Sequence, residues 1–339
     1  MCKFHWRGAR TRSRFGSFCK RGVRDIWVKW PLANQEIVPV LLHPSVDALV
    51  TNPDGTYVDV TFGGGGHSQA ILEKLSSKGK LISFDQDEDT IARAPQDPRF
   101  TLVNHNFQFT KQYLEYLKAS PVDGILADLG ISSHQIDIGE RGFAHRLNGP
   151  LDMRMSASTP ISAAQIVQNS SEKELNYIFK QYGEIPNARR LSDIIIRSRG
   201  SKDISTIEGF KAAIATCTPG KTPAKYLSQV FQALRIAVNK EMEVLEALLN
   251  DAETLIKPGG KLVVISYHSL EDRLVKHLFQ TGNLEGNRHT DLYGHISKPF
   301  DNQPNAAITP DDAEIESNKR ARSAKMRIGV RNTWKRTHS

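Results

Sequence analysis

The sequence predicts an α/β protein: a Rossmann-like, mostly parallel, doubly wound sheet that carries an inserted all-helical domain. Three observations lead there. Short apolar runs alternate with helical stretches over the first part of the chain, as strands and crossover helices do. The alternation stops between residues 139 and 229, then resumes towards the C-terminus. With 339 residues, 39% of them hydrophobic, the chain can bury the core of a large domain and its insertion.

The elements follow in order. Residues 57–62 read as a buried strand that runs into glycines, and 68–75 as a helix. Residues 80–85 form the second strand, 89–94 a short helix, 100–104 the third strand and 109–117 a helix. The apolar run 122–128 is the fourth strand. Within the interruption, 171–182 and 188–199 are amphipathic and 206–216 is a further helix candidate. A long helix is expected over 235–255, a turn at Lys257-Pro258-Gly259-Gly260, a fifth strand over 261–266 and a helix over 271–279. Residues 324–330 alternate as a late edge strand does. The expected division is a disordered basic extension (1–35), a Rossmann-like domain in two pieces (36–138 and 230–332), the helical insertion (139–229) and a basic tail (333–339).

The formal net charge of +8 is local rather than global. Residues 1–30 hold nine Lys/Arg and one acid, Asp25. Removing them from the totals of 45 basic and 37 acidic residues leaves 36 of each, a net charge of zero. Nucleic acid would therefore be met through patches. One candidate is 319–336, with eight Lys/Arg and no acid, which reads equally well as a solvated tail. The first 30 residues fit a transit peptide, an RNA-binding arm or a start placed too far upstream. The expected compartment is the bacterial cytoplasm, or an organelle if they are a transit peptide. Cys2, Cys19 and Cys217 are too few and too scattered for a disulfide framework or a zinc site. No apolar run approaches the roughly 18 residues of a membrane span, so no membrane partner is expected.

Asp59-Val60-Thr61-Phe62-Gly63-Gly64-Gly65-Gly66-His67 sits where the first strand meets the first helix. Glycines there let backbone approach a ligand, and the helix start offers free N–H groups. Asp85 ends the second strand, at the spacing where an acid of this fold accepts ribose hydroxyls. The Lys-Ser/Thr of a P-loop is absent. The third glycine of a dinucleotide fingerprint would fall at Ser68. These features lean towards S-adenosylmethionine. Phe107, after the third strand, is placed to cover an adenine, and Asp128, ending the fourth, stands at the rim where chemistry occurs. The residues alone leave three readings open: a methyltransferase, a non-catalytic RNA-binding factor on the same fold, and a nicotinamide dehydrogenase.

Ordered motifs narrow them. They are Val38-Pro39-Val40-Leu41-Leu42, the glycine loop through Ser68, Asp128-Leu129-Gly130-Ile131-Ser132-Ser133, Glu140-Arg141-Gly142-Phe143 and Gly149-Pro150-Leu151-Asp152-Met153-Arg154-Met155. Phe231-Gln232-Ala233-Leu234-Arg235, Ser266-Tyr267-His268-Ser269-Leu270-Glu271-Asp272-Arg273 and Arg320-Ala321-Arg322-Ser323-Ala324-Lys325 follow. In this order, from about residue 36 to 331, the chain resembles the MraW/RsmH family of 16S rRNA cytosine-N4 methyltransferases.

The resemblance implies a class I methyltransferase that uses S-adenosylmethionine and no metal. It carries over cofactor contacts to Gly65, Gly66, His67, Asp85, Phe107, Asp128 and Gln135. It implies methylation of the N4 amine of a decoding-region cytidine in small-subunit rRNA, with the free rRNA or a 30S-type particle as partner and a monomer or homodimer as the assembly. Gly64 stands where the family often has Arg, His134 where it commonly has Pro, and Tyr267 where it commonly has Phe. Asp128 is the candidate acceptor for the amine, with Ser132 and Ser133 beside it as further catalytic candidates. Phe143 and Tyr267 are candidates for stacking on an extruded base, although core packing is the commoner use of such rings. Arg141, Arg154, Arg235, His268, Arg273, Arg320, Arg322 and Lys325 are candidate RNA contacts. Asp152 is expected to pin a neighbouring Arg, and the helical insertion to wall an RNA cleft as a recognition domain.

Overall fold

The computed structural model describes residues 39–200, 203–291 and 293–333. The expected N-terminal extension, and the tail beyond residue 333, lie outside the described residues. Seven strands form one sheet in the order β3-β2-β1-β4-β5-β7-β6. They are β1 (Thr56–Asp59), β2 (Lys80–Phe84), β3 (Phe100–Val103), β4 (Val122–Asp128), β5 (Ile256–Ser266), β6 (Phe300–Asn302) and β7 (Lys325–Arg331). The first five pair in parallel, and β7 runs antiparallel to both β5 and β6. The strand order reverses direction beside β1, between β1 and β4, and such a switch point opens a crevice beyond the strands' carboxyl ends. This is the class I methyltransferase arrangement.

The sheet is buried on both faces, as its near-continuous apolar strands require. On one side it meets α10 (Glu241–Leu255) and α11 (Ser269–Thr281), through Leu245, Leu248, Leu249, Val275 and Phe279. On the other it meets α1 (Leu42–Leu49) and α2 (Gly66–Lys74), through Val46, Leu49, Ile71 and Leu72. Two short helices, α3 (Thr110–Tyr116) and α4 (Ser133–Asp137), follow β3 and β4. Five helices, α5 (Ala163–Asn169), α6 (Glu172–Gln181), α7 (Ala188–Ser198), α8 (Ile207–Ile214) and α9 (Pro223–Asn239), pack around a hydrophobic core of their own that includes Phe179, Leu191, Ile195, Phe210 and Phe231. Ser162 and Ser171 start α5 and α6 through reciprocal capping boxes with Gln165 and Glu174. A last helix, α12 (Asp312–Ser317), precedes β7.

The strand-like runs 80–85, 100–104 and 122–128 form strands, with ends trimmed by a residue or none. Four expectations change. The first strand, expected over 57–62, is Thr56–Asp59 and ends before the glycine loop. The long helix expected over 235–255 is two helices, broken where Lys240 turns left-handed (φ 51°). The turn at Lys257–Gly260 lies inside β5: pairing jumps from Val122↔Ile256 to Gly124↔Lys261, and the intervening residues bulge out. The last alternating segment is not an edge. It is β7, and the edge strand is the three-residue β6, too short to show a periodicity.

Candidate active site

The site is built at the carboxyl ends of β1, β2, β3 and β4. After β1 the chain folds back through Thr61 and the glycines into α2. Asp59, fully buried, ties the two ends of that loop together. Its Oδ2 accepts the Ser68 hydroxyl at 2.7 Å, and its Oδ1 accepts the Thr61 N–H at 3.0 Å. Gly65 caps α2 with φ 83° and no side-chain cap, so the helix's first N–H groups face outward without a side-chain partner of that kind. A Cβ on Gly64 would meet nothing within 4 Å, whereas one on Gly66 would lie 2.3 Å from Pro39 Cγ. Gly64 is therefore the open side of the loop, and Gly66 is glycine for packing.

Asp85 receives the Gly63 N–H on Oδ2 at 2.7 Å and the Asp87 N–H on Oδ1 at 2.8 Å. Burial pushes its carboxyl up to about 6, against those two hydrogen bonds. Asp87 organises the next layer. Gln135 Nε2 donates to its Oδ2 at 2.8 Å, and Arg141 donates to both of its oxygens at 2.9 and 3.3 Å. Burial would raise Asp87, but these bonds outweigh it and hold the carboxyl below its ordinary value.

Asp128 closes β4. Its N–H donates to Thr61 Oγ1 at 2.7 Å, and its Oδ1 accepts the Tyr267 hydroxyl at 2.8 Å. His67 Nδ1 lies 3.6 Å from Oδ2. Burial lowers the His67 imidazole to about 4, so the ring is neutral at neutral pH, and its Nε2 is buried without a hydrogen-bond partner. Burial raises Asp128 to about 7, the charges of Asp59 and Glu271 add to this, and the Tyr267 hydrogen bond opposes it. A carboxyl that exchanges a proton near neutrality can serve as a general base. Beside it, a cavity is lined by Thr61, Gln86, Asn106, Phe107, Leu129 and Gly130 from the strand ends, and by Met155, Asn239, Glu241, Val244, Leu245 and Glu271 from the opposite side.

The family model of the MraW methylases matches residues 34–332. The chain belongs to the MraW methylase family. A relative from Flavobacterium johnsoniae named "Ribosomal RNA small subunit methyltransferase H" is 50% identical over 290 residues, covering 86% of this chain and 96% of the relative. One of the same name from Bacteroides thetaiotaomicron is 50% identical over 291 residues, with the same coverage. Another from Cytophaga hutchinsonii is 49% identical over 296 residues, covering 87% of this chain and 99% of the relative.

The methylase takes S-adenosylmethionine as its cofactor. The residues present fit that group. The open face of Gly64, the uncapped start of α2 and the orphaned Nε2 of His67 lie on the glycine loop, and Asp85 stands at the end of β2. Phe107 offers a ring to the cavity, and Asn106 is fixed beside it by a 2.8 Å bond to Gln86. Gln135 is 5% exposed, and both ends of its amide are engaged, by Asp87 and by the Ser132 N–H. It ties the segment after β2 to the start of α4. The Ser132 hydroxyl is likewise taken up, as the N-cap of α4, while Ser133 begins that helix.

The candidate RNA contacts divide sharply. Phe143 is 7% exposed within the helical core, so it is not a stacking platform. Arg235 is largely buried and grips both oxygens of Glu241 at 2.8 and 2.9 Å across the α9–α10 break, so it is not a phosphate contact. Arg141 is spent on Asp87, Asp89 and the carbonyls of Arg154 and Met155. Arg154 is clamped by Asp152, as the sequence suggested for that acid. His268 caps α11, with its ring 3.1 Å from Glu271. As far as residue 333, where the described residues end, the basic stretch that begins at Lys319 is packed rather than a tail: Arg327 and Arg331 are buried, and Lys325 lies 3.6 Å from Asp272. Arg273 pairs with Glu184 and Arg320 with Asp137 at the surface, and Arg322 is exposed.

Glu241, His268 and Glu271 come within 4.8 Å of one another, close enough to suggest a metal. Arg235 already holds both oxygens of Glu241, and Glu271 accepts the Tyr267 N–H at 2.9 Å. The trio is internally paired, and Glu241 and Glu271 of it line the cavity. Sequence reasoning missed Gln86 and Asn106, although each follows a strand end by two or three residues. It also missed Met155, Asn239 and Glu241, which reach the cavity from segments remote in sequence and carry no local signal. Tyr267, a candidate for stacking with core packing the commoner reading, bonds Asp128 through its hydroxyl, which neither reading contained.

Proposed function

We propose that this methylase transfers a methyl group to the N4 amine of a cytidine in the decoding region of small-subunit rRNA. The observation that carries the chemistry is Asp128: a carboxylate at the methyl-transfer rim, held by Tyr267 and ionising near neutrality. The relatives' shared name supports the rRNA substrate. The resemblance of the ordered motifs supports N4 of cytosine.

When bound, S-adenosylmethionine supplies a methyl group made electrophilic by its sulfonium. An aryl-type amine is a poor nucleophile because its lone pair is shared with the ring. Asp128 accepts one N–H, which favours the pyramidal amine. It would take the proton that the amine sheds once its lone pair has bonded the methyl group. Thr61 and Tyr267 fix the acid, and Glu271 and Glu241, each already paired, line the cavity beside it. The target base leaves its stack to reach this acid. The helical segment forms the far wall of the RNA cleft, with Met155 and Asn239 reaching in from its side.

The test is transfer of tritium from labelled S-adenosylmethionine to under-modified small subunits, followed by nucleoside mapping. Label on N4 of a decoding-region cytidine is expected. Asp128→Asn should retain folding and lose about 10²–10⁴-fold in turnover, the range of a general base. Label on another atom overturns the substrate assignment, and unchanged turnover of the Asn variant overturns the role of Asp128.

A further inference from the structure

Asp128 and Tyr267 meet because their strands are neighbours. Asp128 pairs with Ile265 in the parallel β4–β5 ladder, and the chain continues two residues past that pairing to place Tyr267. The Tyr267 N–H is pinned to Glu271 Oε2 at 2.9 Å, at the start of α11. Gly130 turns the chain with φ 99° just after β4, beside the ring: a Cβ there would rest in ordinary contact, 3.6 Å from Tyr267 Cδ2. The ring is thus fixed at its backbone, and its hydroxyl reaches Asp128 Oδ1 at 2.8 Å.

That hydroxyl is the one hydrogen-bond donor to the Asp128 carboxylate among the described residues. The other groups that face the acid work differently. His67, from α2, lies 3.6 Å from Oδ2 and is neutral at neutral pH. Asp59, from β1, and Glu271, from α11, both disfavour a second negative charge. We propose that Tyr267 is a positioning residue for methyl transfer. Its hydroxyl occupies Oδ1, turns Oδ2 to the incoming amine and keeps the carboxylate in its proton-accepting form. The inference rests on the role given to Asp128 above, but not on which base is methylated.

The test is Tyr267→Phe, which removes one oxygen and leaves the ring. A hydrogen bond to a charged group stabilises the anion, so its loss should raise the Asp128 titration by about one to two units. The acid limb of kcat against pH should move up by the same amount. At pH 7 kcat should fall about five- to fifty-fold, the deficit should narrow in alkaline buffer, and KM for S-adenosylmethionine and RNA should stay within about twofold. Carboxylate carbon NMR of protein labelled at aspartate, with no cofactor or RNA present, reads the Asp128 titration directly. A matching upward shift there supports the proposal even if the methylated base proves to be another one. An unmoved titration overturns it. So does a uniform loss of kcat at every pH, which would mark Tyr267 as mere packing.

Discussion

Replacing Arg141 with Met separates an internal role from an RNA-binding one. Its guanidinium makes two bonds to Asp87, one to Asp89 and two to backbone carbonyls, and its side chain is 21% exposed against 7% for Asp87. Removing one partner of a buried pair costs about 3–5 kcal/mol, because the remaining charge loses its compensation. Gln135 stays on Asp87 and Arg141 keeps some solvent, so the lower end, about 3 kcal/mol, applies. Urea unfolding should show that loss at neutral pH. The folded carboxyl of Asp87 lies below its ordinary value of 3.8, so its contribution is present above that value and fades as pH falls through the folded one. The gap between wild type and variant should therefore close in acid below pH 3.8. A phosphate contact behaves differently: its loss makes the dependence of log affinity on log salt shallower by about 0.7–0.9. The structure predicts an unchanged slope. A variant of wild-type stability whose RNA binding has lost about one counterion refutes the internal assignment.

Two further outcomes follow from the geometry. Gly65→Ala should cost about 1–3 kcal/mol, because a left-handed residue at φ 83° gains a Cβ 3.0 Å from Phe62 Cζ. Calorimetric titration should also show weaker S-adenosylmethionine binding, since the loop must shift. Phe179→Ala should cost about 3–5 kcal/mol, because the side chain is fully buried in the helical core. S-adenosylmethionine affinity below the unfolding midpoint should hold, since Phe179 lines no part of the cofactor cavity.

How much of this was legible in the sequence depended on whether the signal was local. Strand ends are local: an apolar run stops where a glycine or acid appears, and the fold then dictates that ligands gather there. Asp85, Phe107 and Asp128 are singled out that way, and they stand at or just past the ends of β2, β3 and β4. The break at Lys240 was not local. Residues 235–255 keep a helical period across it, and what divides them is Asn239 reaching back to the backbone of Met153 and Met155 while Arg235 clasps Glu241.

Charge was the least legible feature, for the same reason. A string such as Lys319 to Arg331 looks like a phosphate-binding tail because its acids lie elsewhere in the chain: Asp137, Asp272 and Glu253. Arg141, Arg154 and Arg235 resemble RNA contacts until Asp87, Asp152 and Glu241 are placed beside them. A buried arginine must be paired, so its motif marks a joint in the scaffold as readily as a ligand. The same logic sharpens Tyr267. As a ring after a strand it suggested core packing or stacking. Once Asp128 stands 2.8 Å from its hydroxyl, the oxygen rather than the ring carries the inference, and a single-atom deletion is enough to test it.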